Sequence, residues 1–298
     1  MLCIPYQLGM PLLGYGGSGQ VYEINDTIVL KSPLIYELLP GYTTADQDDY
    51  KCMTTYSYRA IEHEKSVFRK LGSHRNIVHA LATNHPEGIY LQKHGQLREK
   101  MREPSVSWLK RLLWYQDMAS ALLHLHSLNL AHADVRLPNW LCDGTDCAIL
   151  CDFTSTEEIG TKNEIATIDE DGIVDLNGLS STLSDATDRF AFSSLIYEME
   201  TGEMARITAP SGKLRLPPVQ TGCPDLDLII WKGWRGTFTS TSDLLRDLKI
   251  LGLSKGCTDE RATPELNLGN DVFNLELWRQ SREQEHGTWI FLCNDGRN

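Results

Sequence analysis

Apolar and polar positions alternate over the first third of the chain, the period of two that marks half-buried strands. Residues 12–31, LLGYGGSGQVYEINDTIVLK, read as strand, glycine-rich turn, strand, Asn25-Asp26 turn and strand. The short Asn25-Asp26 turn predicts a tight hairpin between the second and third strands. The run GIYLQKHG at 88–95 reads as a further strand that ends in a short connector near Gln92 to Gly95. Elsewhere the period lengthens. Ile61, Glu64, Val67, Phe68 and Leu71 share one side of a helix predicted over 58–71. Trp108, Leu112, Tyr115, Met118, Leu122 and Leu125 recur at helical spacing over 105–128. DRFAFSSLIYEMETG, 188–202, predicts a helix with Phe192, Leu195, Ile196 and Met199 inward and Gly202 just past its end.

Two stretches lack a clear period. Residues 33–55 read as an acidic insertion, expected to be a solvated loop, and 153–188 is polar and rich in Ser, Thr and acidic side chains. The tail beyond Ser254 carries Leu275, Leu277, Trp278 and, with Val272 and Phe273 before them, Trp289 to Leu292 after. That is too apolar to be left in water, so the tail is expected to pack on the large lobe. Sheet first and helices later predicts an α+β chain of two lobes with a crevice between them.

Composition narrows the function. The chain is 298 residues long, 41% hydrophobic and 23% charged, as befits a folded domain. Its net charge of -12 argues against nonspecific nucleic-acid binding, which needs a basic footprint, and is compatible with a basic peptide partner. No apolar run approaches the roughly 18 residues that cross a bilayer, so a cytoplasmic or nuclear protein with no membrane partner is expected. Eight cysteines are scattered without a Cys-x-x-Cys pair, so reduced thiols are expected rather than a zinc or disulfide framework.

The chemistry lies in four short segments. Gly14, Gly16 and Gly19 form G-x-G-x-x-G followed by Val21, a loop that exposes backbone N–H groups to phosphates. By itself it is as well explained by a flexible turn. Strands on both sides argue against a dinucleotide fingerprint, and no Gly-Lys-Ser/Thr follows to make a Walker loop. Lys31 closes the apolar run Ile28-Val29-Leu30, where a lysine is costly to bury unpaired. Glu64 stands on the following helix at a suitable place to pair with it, whereas Glu62 points to a different face. Then come His132-Ala133-Asp134, Asn139, and Asp152-Phe153-Thr154. Phosphoryl transfer needs a carboxylate to position the acceptor and oxygen ligands for magnesium. Asp134 fits the first role; Asn139 and Asp152 fit the second.

Together these segments resemble a eukaryotic-type protein kinase. Gly14 to Val21 is similar to the glycine-rich loop, Ile28 to Lys31 to the lysine-bearing strand and HRNIV at 74–78 to the segment after the regulatory helix. HADVRLPN at 132–139 resembles the catalytic loop, DFT at 152–154 the magnesium motif, and Asp188 the buried aspartate that anchors the large lobe. The resemblance covers about 10–253. It implies a bilobal α+β fold, with a small β-rich N-lobe bearing one helix at 1–92 (insertion at 33–55), a mainly helical C-lobe at 93–253 and an extension at 254–298 on the C-lobe. It implies ATP and Mg²⁺ as cofactors. Gly14, Gly16, Gly19 and Val21 would cover the nucleotide, and Lys31, oriented by Glu64, would hold its α/β-phosphates. Adenine would hang from the backbone near Gln92 and Lys93, with Leu91 behind it. Asn139 and Asp152 would hold magnesium, and Asp134 would receive or steer the acceptor proton.

Three departures qualify the resemblance. Ala133 replaces an arginine that usually pairs with a phosphate on the activation segment, which puts that form of control in doubt. Thr154 replaces a glycine; a positive φ there would store about 1–3 kcal/mol. The closing Ala-Pro-Glu is missing. A protein substrate, phosphorylated on Ser/Thr, is expected from prevalence; Arg136 stands where Ser/Thr kinases usually carry lysine and some tyrosine kinases carry arginine, so tyrosine stays an alternative. A pseudokinase scaffold and a small-molecule kinase similar to aminoglycoside or choline kinases remain the alternatives, and oligomeric state stays open.

Overall fold

The computed structural model describes residues 6–36, 41, 43–164, 172–261 and 274–289. These fall into two compact units, one built from 6–72, 79–93 and 274–289, the other from 73–78 and 94–261.

The first unit holds an antiparallel five-stranded sheet in the order β1-β2-β3-β5-β4, with β1 Leu12–Tyr15, β2 Gln20–Glu23, β3 Ile28–Ser32, β4 Ala80–Ala82 and β5 Ile89–Gln92. β2 and β3 form the predicted hairpin. Register sets the two faces. Tyr22, Leu30 and Tyr90 align on one face, and Val21, Lys31 and Ile89 on the other. Every residue of β3 is buried, as expected of a central strand covered on both sides.

Helix α1 is longer than predicted, running from Thr44 to Leu71, so most of the expected acidic insertion is helix. The signal is local. The Thr43 hydroxyl accepts the Asp46 N–H and the Asp46 carboxylate accepts the Thr43 N–H at 2.9 Å, a capping box that starts the helix upstream of its apolar stripe. Thr54 and Ser57 then face the chain that leaves β3. Their hydroxyls accept the N–H groups of Tyr36 at 3.0 Å and Leu34 at 2.7 Å. Ile61, Glu64, Val67, Phe68 and Leu71 are all buried, as their spacing predicts.

The tail corrects a second expectation. Helix α7, Leu275–His286, belongs to the sheet unit and not to the helical one. Leu275, Trp278 and Trp289 pack with Met10, Tyr22, Ile28, Leu30 and Tyr90. Leu275, Trp278 and Trp289 thus cover one face of the sheet, whereas Leu277 stays exposed. Val272, Phe273 and Ile290 to Leu292 lie outside the described residues.

The second unit is mainly helical. Residues 73–78 join it because Val78 donates to the Leu150 carbonyl at 2.9 Å and Leu150 donates back to Asn76 at 2.9 Å. After the short helix α2, Leu97–Lys100, come α3 Trp108–Ser127, α4 Asp185–Thr201, α5 Pro224–Trp234 and α6 Thr241–Ser254, with α3 packed on α6 and α4 on α5. Leu112, Tyr115, Met118, Leu122 and Leu125 are fully buried, and Gly202 caps α4 at φ 77°. Short strand pairs, β6 Gly95–Gln96 with β8 Trp140–Cys142 and β9 Ala148–Leu150, and β7 Leu130–Ala131 with β10 Glu157–Glu158, frame the loops between 132 and 158. The start of the extension stays here, where Arg261 grips the buried Asp117 carboxylate at 2.6 and 3.0 Å. No described helix is long and apolar enough to cross a membrane, and no disulfide joins the described cysteines.

Candidate active site

In the sheet unit, the glycine-rich turn joins β1 to β2, with Gly14 opposite Val21 and the Gly16 N–H donating to the Gly19 carbonyl at 2.8 Å. Its glycines differ in kind. A Cβ on Gly14 or Gly16 would meet no protein atom within 4 Å, whereas one on Gly19 would lie 2.9 Å from the Ser32 carbonyl oxygen. The first two leave an open cradle; the third permits close backbone packing.

Lys31 pairs in register with Val21 on one side and Ile89 on the other. Its ammonium meets Glu64 at 2.6 Å, with the carboxylate side chain wholly buried. The rival Glu62 pairs with Lys65 instead, also at 2.6 Å. A buried ion pair of this kind persists only when geometry offsets desolvation. Leu91 is buried at the end of β5. Gln92 and Lys93 commit their N–H groups to the carbonyls of His79 at 2.9 Å and Thr27 at 2.8 Å, and the Lys93 ammonium rests on Glu23 at 3.0 Å.

In the helical unit, the loop 132–139 is held from beneath by Asp188. Its carboxylate accepts the N–H groups of His132 at 2.7 Å and Ala133 at 2.9 Å and touches His126 Nε2 at 2.9 Å. Burial works against that charge, yet the hydrogen bonds from His126 and the backbone prevail and hold the carboxyl below the usual range. Ala133 occupies the left-handed region at φ 62°. Asp134 is thereby turned outward, with its side chain 20% exposed. Asn139 Nδ2 donates to Asp134 Oδ2 at 2.8 Å, and Arg136 Nε approaches the other oxygen at 2.9 Å.

Asp152 also has positive φ, 62°, and the Thr154 hydroxyl donates to its Oδ1 at 2.8 Å. Thr154 itself is not at positive φ, so the strain anticipated there lies at Asp152. The Cys151 N–H donates to the Asn139 carbonyl at 3.0 Å, which ties the two metal-ligand candidates together through the backbone. The structure thus brings Lys31 to Glu64 within one unit and Asp134 to Asn139 within the other.

A sequence model of the family described as protein tyrosine and serine/threonine kinase matches residues 50–213. The chain belongs to that family. The chain is also similar to mitogen-activated protein kinase kinase kinase 13 of Bos taurus and of Homo sapiens, each 25% identical over 190 residues, or 58% of this chain and 19% of the relative. A RasGEF domain-containing serine/threonine-protein kinase X of Dictyostelium discoideum is 25% identical over 158 residues, 47% of this chain and 16% of that protein. The chain therefore spans about a fifth of the length of the curated relatives it matches.

Which groups could hold a divalent ion follows from the donors. Asn139 Nδ2 is taken up by Asp134, so its Oδ1 is the atom that could face a metal; the Asp152 carboxylate is the second oxygen donor. Two hard oxygens suit Mg²⁺, which takes one or two protein ligands and completes its shell with phosphate and water. Among the described residues no group of three or more His, Cys, Asp or Glu side chains forms a cage by itself. These two donors fit an ion that arrives on a phosphate group.

Two features of the site were not visible in the sequence. Asn177, buried in the polar 153–188 stretch, donates to the Ala133 carbonyl at 2.8 Å; the Asn177-Gly178 turn was its only outward sign. Beside Asp134 opens a cavity of about 720 Å³, with Val174, Phe190, Leu195 and Ile207 in its walls and Asp175 and Glu198 among its charged groups.

Proposed function

We propose that this chain is an ATP- and Mg²⁺-dependent protein kinase that transfers the γ-phosphoryl group to a serine or threonine hydroxyl. The reading rests most on the Lys31–Glu64 pair, intact at 2.6 Å, because a buried lysine so held is ready to meet phosphate oxygens. Bound Mg·ATP would supply the transferable phosphoryl group and neutralise charge on its oxygens. Gly14, Gly16 and Gly19 would approach the phosphates through backbone N–H groups, with Val21 and Leu91 against the base. Gln92 and Lys93 would border adenine, although their N–H groups already have protein acceptors. Asn139 and Asp152 would ligate magnesium. Asp134, steadied by Asn139 and Arg136, would orient the acceptor hydroxyl and receive its proton.

The apolar cavity beside Asp134 supports a protein acceptor, since it can take side chains that flank the hydroxyl. Asp134, Asp175 and Glu198 in that lining outnumber Arg136 and Arg206, which with the net charge of -12 agrees with a basic peptide. Residues up to Arg261 we read as the catalytic part, and α7 as an element added to the sheet unit.

The test is to incubate the protein and an Asp134→Asn variant with labelled ATP and Mg²⁺. Label is expected on phosphoserine or phosphothreonine of a protein acceptor with the wild type, and a loss of at least about 100-fold in the variant. Nucleotide binding without transfer to any acceptor would overturn the enzymatic reading in favour of a scaffold.

A further inference from the structure

The turn between β4 and β5 touches three things at once. At its start, the His85 carbonyl accepts the ammonium of Lys65 at 2.7 Å. Lys65 is buried and adjoins Glu64 on α1. At its end, Gly88 has φ 151°, and a Cβ there would lie 2.0 Å from the Lys31 carbonyl oxygen. The turn thus braces the helix that carries Glu64 and abuts the backbone of Lys31, the two halves of one ion pair.

Between those contacts stands Glu87, whose side chain is wholly buried. Its partners are the Tyr90 hydroxyl at 2.6 Å and the Arg279 guanidinium, which grips both oxygens at 2.5 and 3.0 Å. Arg279 belongs to α7, nearly two hundred residues away in sequence. A second contact from the same helix reaches the turn where Glu276 faces His85 at 3.5 Å. Bidentate pairing to a buried carboxylate fixes orientation as well as distance. It is the kind of contact that holds a turn in one place.

Building on the kinase reading above, we propose that Arg279 and Glu87 are positioning residues for the Lys31–Glu64 pair, with α7 clamping the His85–Gly88 turn so that lysine and glutamate meet. The tail is then part of the nucleotide-binding machinery and not merely a cover for apolar surface. The clamp acts through backbone and helix placement; neither Arg279 nor Glu87 touches the substrate.

Removing Arg279 alone would strand a buried carboxylate and endanger the fold. The test therefore uses Glu87→Gln with Arg279→Met in the full chain, which removes both charges at similar volume. Two quantities are measured: the Kd for Mg·ATP, and amide hydrogen exchange at residues 62–66 without nucleotide. The expected result is a Kd raised about ten-fold, or about 1.4 kcal/mol, with faster exchange confined to 62–66 and the turn. Unchanged exchange at 62–66 would overturn the proposal, as would acceleration spread evenly over the whole sheet. Should the wild type fail to bind Mg·ATP, the functional reading falls, while the exchange measurement still decides the clamp.

Discussion

Asp188 accepts the N–H of Ala133 at 2.9 Å while Ala133 sits in the left-handed region at φ 62°. A non-glycine residue there is strained by about 1–3 kcal/mol and persists only when its surroundings over-determine it. Asp188, through His132 and Ala133 together, supplies that determination one residue before Asp134. Asp188→Asn is expected to lower stability by about 3–5 kcal/mol, because His126 and two backbone donors lose a buried charge. Urea denaturation checks this. The pH dependence has a definite sign. The folded pKa lies below the ordinary 3.8, so the contribution is complete above that value and is lost as pH falls through the folded one. The variant should lack this acid-side loss.

Ala133 also bears on control. Its methyl packs with Ala131, Leu183 and Ile159, and Asn177 caps its carbonyl. Protein groups hold the segment at the place where an arginine would await a phosphate. Phosphatase treatment is expected to leave the transfer rate within about two-fold, and Ala133→Arg, which would bury a cation among apolar groups, to destabilise by about 2 kcal/mol or more. A rate that collapses on dephosphorylation would refute the first expectation.

Thr154 orients the Asp152 carboxylate, proposed above to hold magnesium. Thr154→Val keeps the shape and removes the hydroxyl, so the Mg²⁺ concentration for half-maximal rate should rise about ten-fold, as for other outer partners of metal ligands. Thermal unfolding without metal should change little.

His74 and His124 stack with centroids 4.6 Å apart. Burial first, then the neighbouring His124 and Arg75, pull the His74 pKa from 6.5 down to about 4. The unfolded chain therefore binds more protons between those values, and stability should fall as pH drops from about 6.5 towards 4. His74→Gln is expected to flatten that part of the profile in denaturation measured across the window.

The two kinds of glycine in the glycine-rich loop should separate binding from folding. Gly16→Ala should spare stability and raise the KM for ATP, whereas Gly19→Ala should destabilise by about 1–3 kcal/mol through its approach to Ser32. Paired melting curves and kinetics distinguish them.

Much of this was legible in the sequence because the relevant signals are short-range. The β2–β3 hairpin, the buried face of α1 from Ile61 to Leu71 and the cap at Gly202 follow from periodicity and turn chemistry. The first half of α1 escaped because its contact face is made of Thr54 and Ser57, hydroxyls that a search for apolar stripes passes over. The destination of the tail escaped for a different reason. Trp278 and Trp289 announce burial but not an address, and Arg279 finds Glu87 only in three dimensions. In the candidate site, residue types showed that Lys31 needs a carboxylate, but not that Asn177 and Asp188 fix the backbone around Ala133.

Ser57 accepts the Leu34 N–H and, from the same oxygen, donates to the Ser18 carbonyl at 2.7 Å. One hydroxyl thus fastens the tip of the glycine-rich loop to the helix that bears Glu64. A displacement of that helix would drag the loop along, so the part expected to cover a nucleotide and the part expected to ready the lysine should open and shut as a single piece.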